Sequence, residues 1–312
     1  MAHSVANPWF FAVFLAVVLV LLVVDLGVFH RRAHAVSLRE ALGWSVVWVL
    51  LSVSFGSWIY WKFGAQTGLE FFTGYLIEYA LSVDNIFVFV LIFSYFSVPP
   101  RLHHRVLFWG ILGAVILRRI FIFAGTALLS AFHWVIYVFG AFLIFTGIKI
   151  LQQKGESNVE PERNPVVRLF QRIMPLSTGY EEGTFFLRRG GKLIATPLAL
   201  VLVTVETTDV VFAVDSIPAI FGVTTDWFIV FTSNICAILG LRSMYFLLAA
   251  VVDRFVYLGM GLGIILMFVG AKMLLGGVFP IDIRVSLIVV AVILTGSILL
   301  SLLRSRKGRK GS

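Results

Sequence analysis

The chain has 312 residues, 60% of them hydrophobic and only 13% charged, with a mean hydropathy of +0.99. A soluble domain cannot hide that much apolar surface, so the composition points to an all-α polytopic membrane protein. The net charge of +9 does not imply nucleic-acid binding, because the basic residues gather in loops and the tail, where membrane topology requires them.

Nine apolar stretches are long enough to be spans, at roughly 9–29, 41–61, 69–96, 106–128, 133–151, 197–222, 227–249, 255–276 and 283–303. The first, Trp9 to Val28, lacks a basic n-region and is followed by Arg31 and Arg32, so it reads as an uncleaved span. Basic residues recur after spans one, three, five and seven and in the tail, as with Arg101, Arg105, Arg254 and Arg304. The intervening connections nearly lack them; Lys62, near a span end, can snorkel. The expected topology puts the N-terminus outside and the C-terminus in the cytoplasm.

Five units follow: residues 1–68 with two spans, 69–151 with three, the loop 152–196, 197–277 with three, and 278–312 with the last span and a basic tail. In the loop, Val166, Val167, Leu169, Phe170, Ile173 and Met174 alternate with Arg168, Gln171 and Arg172 at helical spacing, which predicts an interfacial helix. Phe185 to Leu187 and Leu193-Ile194 flank a Gly-Gly turn and read as a small hairpin. Thr196 and Pro197 read as N-cap and first-turn proline of span six.

Spans three to five and six to eight align. Glu78, Asp84 and Asn85 match Asp209, Asp215 and Ser216 at an offset of 131. Arg119 matches Arg242, and Gly147-Ile148-Lys149 matches Gly270-Ala271-Lys272, both at an offset of 123. Units of three spans must cross in opposite directions. An inverted repeat with charged, interrupted helices in matching places points to a transport site at the midplane.

Glu206, Asp209 and Asp215 interrupt the apolar run from Pro197 to Val223, as Glu78 and Asp84 do the run from Leu69 to Phe96. An intramembrane carboxylate is costly and faces a partner or a wet cavity. Glu78 and Asn85 share a helix face, as do Asp209 and Ser216, with Asp84 and Asp215 about 120° round. Pro218 leaves the carbonyl of Val214 without its helical donor, which predicts a kink or unwound turn beside Asp215.

The candidate ligand set is Glu78, Asp84, Asn85, Glu206, Asp209, Asp215 and Ser216. All are oxygen donors, suited to a hard or borderline divalent cation such as Mg²⁺, Ca²⁺ or Mn²⁺ carried as cargo, with no permanently bound cofactor. Spare acidic groups could take protons, so cation–proton exchange is chemically reasonable. The bland alternative is that the carboxylates pair with Arg118, Arg119 and Arg242 as glue between helices. Arg119 and Arg242 are the expected partners of Asp84 and Asp215, and Asp25 reads as a helix-end residue with a possible accessory role. His30, His34, His103 and His104 read as interfacial. No Walker A motif, nucleophile elbow or HExxH is present, so no enzyme is expected.

The stretch Val205-Glu206-Thr207-Thr208-Asp209-Val210-Val211-Phe212-Ala213-Val214-Asp215-Ser216-Ile217-Pro218 resembles the signature of the TerC family of bacterial integral membrane proteins. Ser82-Val83-Asp84-Asn85, Leu239-Gly240-Leu241-Arg242-Ser243 and Asp25-Leu26-Gly27 fit it as well. The resemblance implies manganese efflux and a historical link to tellurium resistance, and it places Glu78, Asp84, Asn85, Glu206, Asp209 and Asp215 in the acidic motifs. A chain with one cysteine, Cys236, is badly equipped to reduce tellurite. The expected function is a secondary transporter exporting a divalent cation in exchange for protons. The rival readings are a non-transporting membrane scaffold and an exporter of a cationic organic solute.

Overall fold

In a computed structural model of the chain, residues 7–27, 38–152, 164–177, 179–180, 183–189, 192–249, 257–279 and 281–308 are described. The elements are α1 (Pro8–Gly27), α2 (Leu38–Phe63), α3 (Ala65–Tyr95), α4 (Pro100–Ala131), α5 (Val135–Gln152) and α6 (Pro165–Ile173). The hairpin β1 (Phe186–Arg189) and β2 (Lys192–Ala195) follows. Then come α7 (Pro197–Phe221), α8 (Trp227–Leu239), α9 (Leu241–Ala249), α10 (Leu258–Leu275) and α11 (Ile283–Gly308).

Among the described residues, seven helices are long and apolar enough to cross a bilayer, and α8–α9, bent by 40°, makes an eighth if taken as one span. The expected first span is α1, whose described apolar part, Trp9–Leu21, is shorter than a crossing. Arg31, Arg32, His30, His34, Arg254 and the side chain of Asp25 lie outside the described residues.

Helix α3 is the hub, packing on α2, α7, α8, α9, α10 and α11. Its Phe71, Ile77, Ile86 and Ile92 are fully buried, as expected of a helix apolar on all sides. The outer helices instead expose Leu50, Ile116, Phe123, Phe145, Ile288 and Val292. In water such a surface would aggregate; here it is the face that meets lipid.

Helices α5 and α10 approach through glycine. A Cβ on Gly147 would lie 2.6 Å from the Gly263 carbonyl oxygen, and one on Gly270 2.6 Å from that of Gly140. Each contact is returned, Gly140 meeting Gly270 and Gly263 meeting Gly147. Small residues let two backbones come this close, where side-chain packing replaces the hydrophobic drive that lipid cannot supply. The reciprocity is the form that a two-fold-related pair requires, and Gly140 and Gly147 stand at the same offset of 123 from Gly263 and Gly270.

The loop forms both expected elements. Asn164 caps α6 by accepting from the backbone N–H groups of Val166 at 2.9 Å and Val167 at 3.4 Å. Its amide also donates to Thr207 Oγ1 of α7 at 2.9 Å, pinning the loop to the acidic helix. Asn164→Ala is expected to cost about 1 kcal/mol through the cap alone. Limited proteolysis should then cut the loop faster than in the wild type. At the other end, the Tyr180 hydroxyl donates to the Phe96 carbonyl at 2.6 Å. Burial raises its pKa, so this donor stays protonated at neutral and mildly alkaline pH.

Two expectations need correction. Thr196 stands at the N-cap of α7, but its hydroxyl donates backward to the carbonyls of Thr184 (2.6 Å) and Phe185 (3.2 Å) and makes no cap bond. The hairpin leaves those carbonyls within reach, and they take the hydroxyl. The unwound turn beside Asp215 is also absent. Helix α7 runs unbroken from Pro197 to Phe221, with Pro218 in its last turn. There the proline removes one hydrogen bond, to the Val214 carbonyl, and only three residues of helix follow it. The interrupted span is α8–α9, which breaks at Gly240.

Candidate ion site in the membrane

Near the middle of the bundle α3, α4 and α7 each contribute one charge. Arg118 of α4 is 1% exposed, Glu78 of α3 is 0% and Asp209 of α7 is 5%. Arg118 Nη1 donates to the Glu78 carboxylate. On its other edge, Nε donates to Asp209 Oδ2 at 3.3 Å and Nη2 to Oδ1 at 3.2 Å, a forked pairing that matches the planar guanidinium to a carboxylate. Nη1 also reaches Ser216 Oγ at 3.4 Å. The carboxylates of Glu78 and Asp209, from matching positions in the two halves, are therefore separated by no more than one guanidinium.

Charges this deep persist only when paired, since removing one partner of a buried ion pair typically costs about 3–5 kcal/mol. With all three groups ionised, two carboxylates and one guanidinium leave a net charge of −1. One oxygen of Glu78 is buried with no hydrogen-bond partner among the described residues, so its bonding capacity is not exhausted.

The inward arginine is Arg118 and not the expected Arg119. Arg119 is exposed, its guanidinium 5.1 Å from the centroid of the Phe11 ring on α1. Successive residues point about 100° apart on a helix, so the tandem can send only one side chain to α3 and α7. Arg242 is buried on α9, two residues past the break at Gly240. Asp215 accepts from Thr146 Oγ1 of α5 at 3.3 Å.

Asp215 lines a cavity of about 230 Å³ between α3, α5, α7 and α10, together with Asn85, Thr146, Lys149 and Ser216. Ser216 belongs to both places, since it lines the cavity and accepts from Arg118. The cavity therefore abuts the ion triad. Glu206 points elsewhere: its carboxylate rests on Gly113 of α4, where any added methyl group would collide with it. Its Oε2 is buried with no hydrogen-bond partner among the described residues.

The seven expected donors thus divide. Glu78, Asp209 and Ser216 meet at Arg118; Asn85, Asp215 and Ser216 face the cavity; Glu206 lies against α4. The side chain of Asp84 is outside the described residues. Among the described residues no three His, Cys, Asp or Glu side chains are gathered as a metal centre, and Arg118 stands between the carboxylates of Glu78 and Asp209. His103 packs inward as well, its ring nitrogens 2.9 Å from the Val98 carbonyl and 3.1 Å from the Tyr245 hydroxyl. Sequence reasoning missed Gly113 and Thr146. The one available signal for Thr146 was its place beside the repeated Gly147-Ile148-Lys149 motif.

The family described as "Integral membrane protein TerC family" matches residues 63–309. STKORF319 of Myxococcus xanthus, called an uncharacterized membrane protein, is 54% identical over 303 residues, covering 97% of this chain and 95% of its own. A Salmonella typhi protein named putative membrane-bound redox modulator Alx is 50% identical over 302 residues, 94% of each chain. The protein of that name in Escherichia coli strain K12 is 49% identical over 298 residues, 92% of each. No solved structure matches the chain.

Proposed function

Because the chain belongs to the integral membrane protein TerC family, we propose that it is a secondary transporter exporting a divalent metal cation, manganese first among the candidates, in exchange for protons. The observation that carries this reading is the meeting of Glu78 and Asp209 from opposite halves on one buried cation. Intramembrane ionisable groups at such a place mark ion pathways. The oxygen-only donors suit Mn²⁺, Mg²⁺ or Ca²⁺, and a cavity whose wall includes Asn85, Thr146, Asp215 and Ser216 adjoins them. The reciprocal α5–α10 glycines support an inverted repeat, the architecture in which two halves rock about a fixed site.

The relatives' name speaks of redox, but this chain has a single, buried cysteine, Cys236, and so no thiol pair with which to exchange electrons. A scaffold would use the triad only as a clamp between helices, and measured Mn²⁺ flux in liposomes distinguishes it from a transporter.

Purified protein screened with Mn²⁺, Ca²⁺, Mg²⁺ and Zn²⁺ tests the binding. A ligand at 100 times its Kd should stabilise the fold by about 2.7 kcal/mol. No shift in unfolding temperature with any of the four would count against the reading. Orientation is tested separately: reporter fusions at the tail and near Glu160 should both read cytoplasmic, and a periplasmic signal at either would reject the inverted arrangement.

A further inference from the structure

We propose that Arg118 is a tethered cation that fills the carboxylate pair when cargo is absent, so that guanidinium and metal ion exchange places in each transport cycle. This rests on the transporter reading above and adds a specificity-determining residue to it.

The geometry of Arg118 is that of a bound ligand. One edge of its guanidinium meets Glu78 and the other grips Asp209 with two bonds, so it stands where an ion shared by α3 and α7 would stand. A metal ion cannot take both carboxylates while the guanidinium is there. An empty pair would place two like charges together in a low-dielectric interior, which the tethered cation prevents.

The displaced side chain also has somewhere to go. Arg118 Nη1 already reaches Ser216 Oγ at 3.4 Å, and Ser216 forms part of the wall of the 230 Å³ cavity. Asn85 and Asp215 offer acceptors in that wall, with Asp215 also held by the Thr146 hydroxyl at 3.3 Å. Lys149 lies in the same wall but is itself exposed, so its charge is partly spent on solvent.

Competition with a built-in monovalent cation sets selectivity. Na⁺ or K⁺ would replace one positive charge by one, losing three directed hydrogen bonds without electrostatic gain. A divalent ion replaces one charge by two and brings the pair from net −1 to neutral. The site therefore discriminates by valence before it discriminates by size.

The test compares wild type with Arg118→Met and Arg118→Lys, each purified as the full chain and checked for folding by size exclusion and thermal unfolding. Equilibrium Mn²⁺ binding is measured with and without added guanidinium chloride at a concentration that leaves wild type folded. Arg118→Met should bind Mn²⁺ about tenfold tighter or more, and Na⁺ should now compete. Its export should nevertheless be slower, because nothing expels the cargo. Free guanidinium should weaken Mn²⁺ binding in the variant and not in wild type. Arg118→Lys, which keeps the charge but loses the fork, should fall between the two and carries the test if Arg118→Met does not fold. Folded variants that bind Mn²⁺ with unchanged or weaker affinity would make Arg118 a structural clamp and overturn the exchange. Absence of Mn²⁺ binding in wild type and variants alike would instead reject the transporter reading, and this inference with it.

Discussion

Asp209→Asn should abolish export while the protein remains folded. The change is near-isosteric and removes one charge from a site that holds two carboxylates and one guanidinium. What remains is a compensated Glu78–Arg118 pair, so the penalty of about 3–5 kcal/mol for a stranded buried charge does not apply. Weakening the bonds from Arg118 Nε and Nη2 costs less, because an amide oxygen can still accept from the fork. A divalent ion, however, loses one of its two anionic donors. Cells carrying the variant should accumulate manganese when challenged, and vesicles should show no metal-driven proton movement. If Asp209→Asn and Glu78→Gln both export at the normal rate, the pair is structural.

Gly270→Val is expected to damage the fold itself. Its Cβ would sit 2.6 Å from the Gly140 carbonyl oxygen, which is backbone and cannot swing aside as a side chain would. Overpacking of this kind costs about 1–3 kcal/mol when neighbours can adjust, and here two helices must separate. The same displacement would loosen the reciprocal contact between Gly147 and Gly263. Thermal unfolding of purified protein should show a lower midpoint for Gly270→Val. Gly259→Ala, on the same helix with nothing within 4 Å of the added methyl, should match wild type. Equal midpoints for Gly270→Val and wild type would show that the α5–α10 approach is not close.

Much of this was legible in the residues. Helix α7 begins at Pro197, as the missing N–H of a first-turn proline suggests, and α6 and the hairpin lie where periodicity and the Gly-Gly turn put them. The nearness of Glu78 and Asp209 followed from their matching places in two aligned units. The rest depended on rotation about helix axes. Arg118 and Arg119 are equal candidates in a list of residues, and only the packing of α4 decides which one turns inward. Pro218 looked like the breaker but stands three residues from the end of α7, whereas the interrupted span divides at Gly240. The cavity draws on four helices far apart in sequence, so no local pattern could announce it.

The most direct test of export is flux in liposomes holding only the purified protein, loaded with Mn²⁺ and given an inward proton gradient. Wild type should release manganese in step with proton uptake, and Asp209→Asn should do neither. Flux no faster than in protein-free liposomes, or equal in wild type and variant, would contradict transport through the Glu78–Asp209 pair.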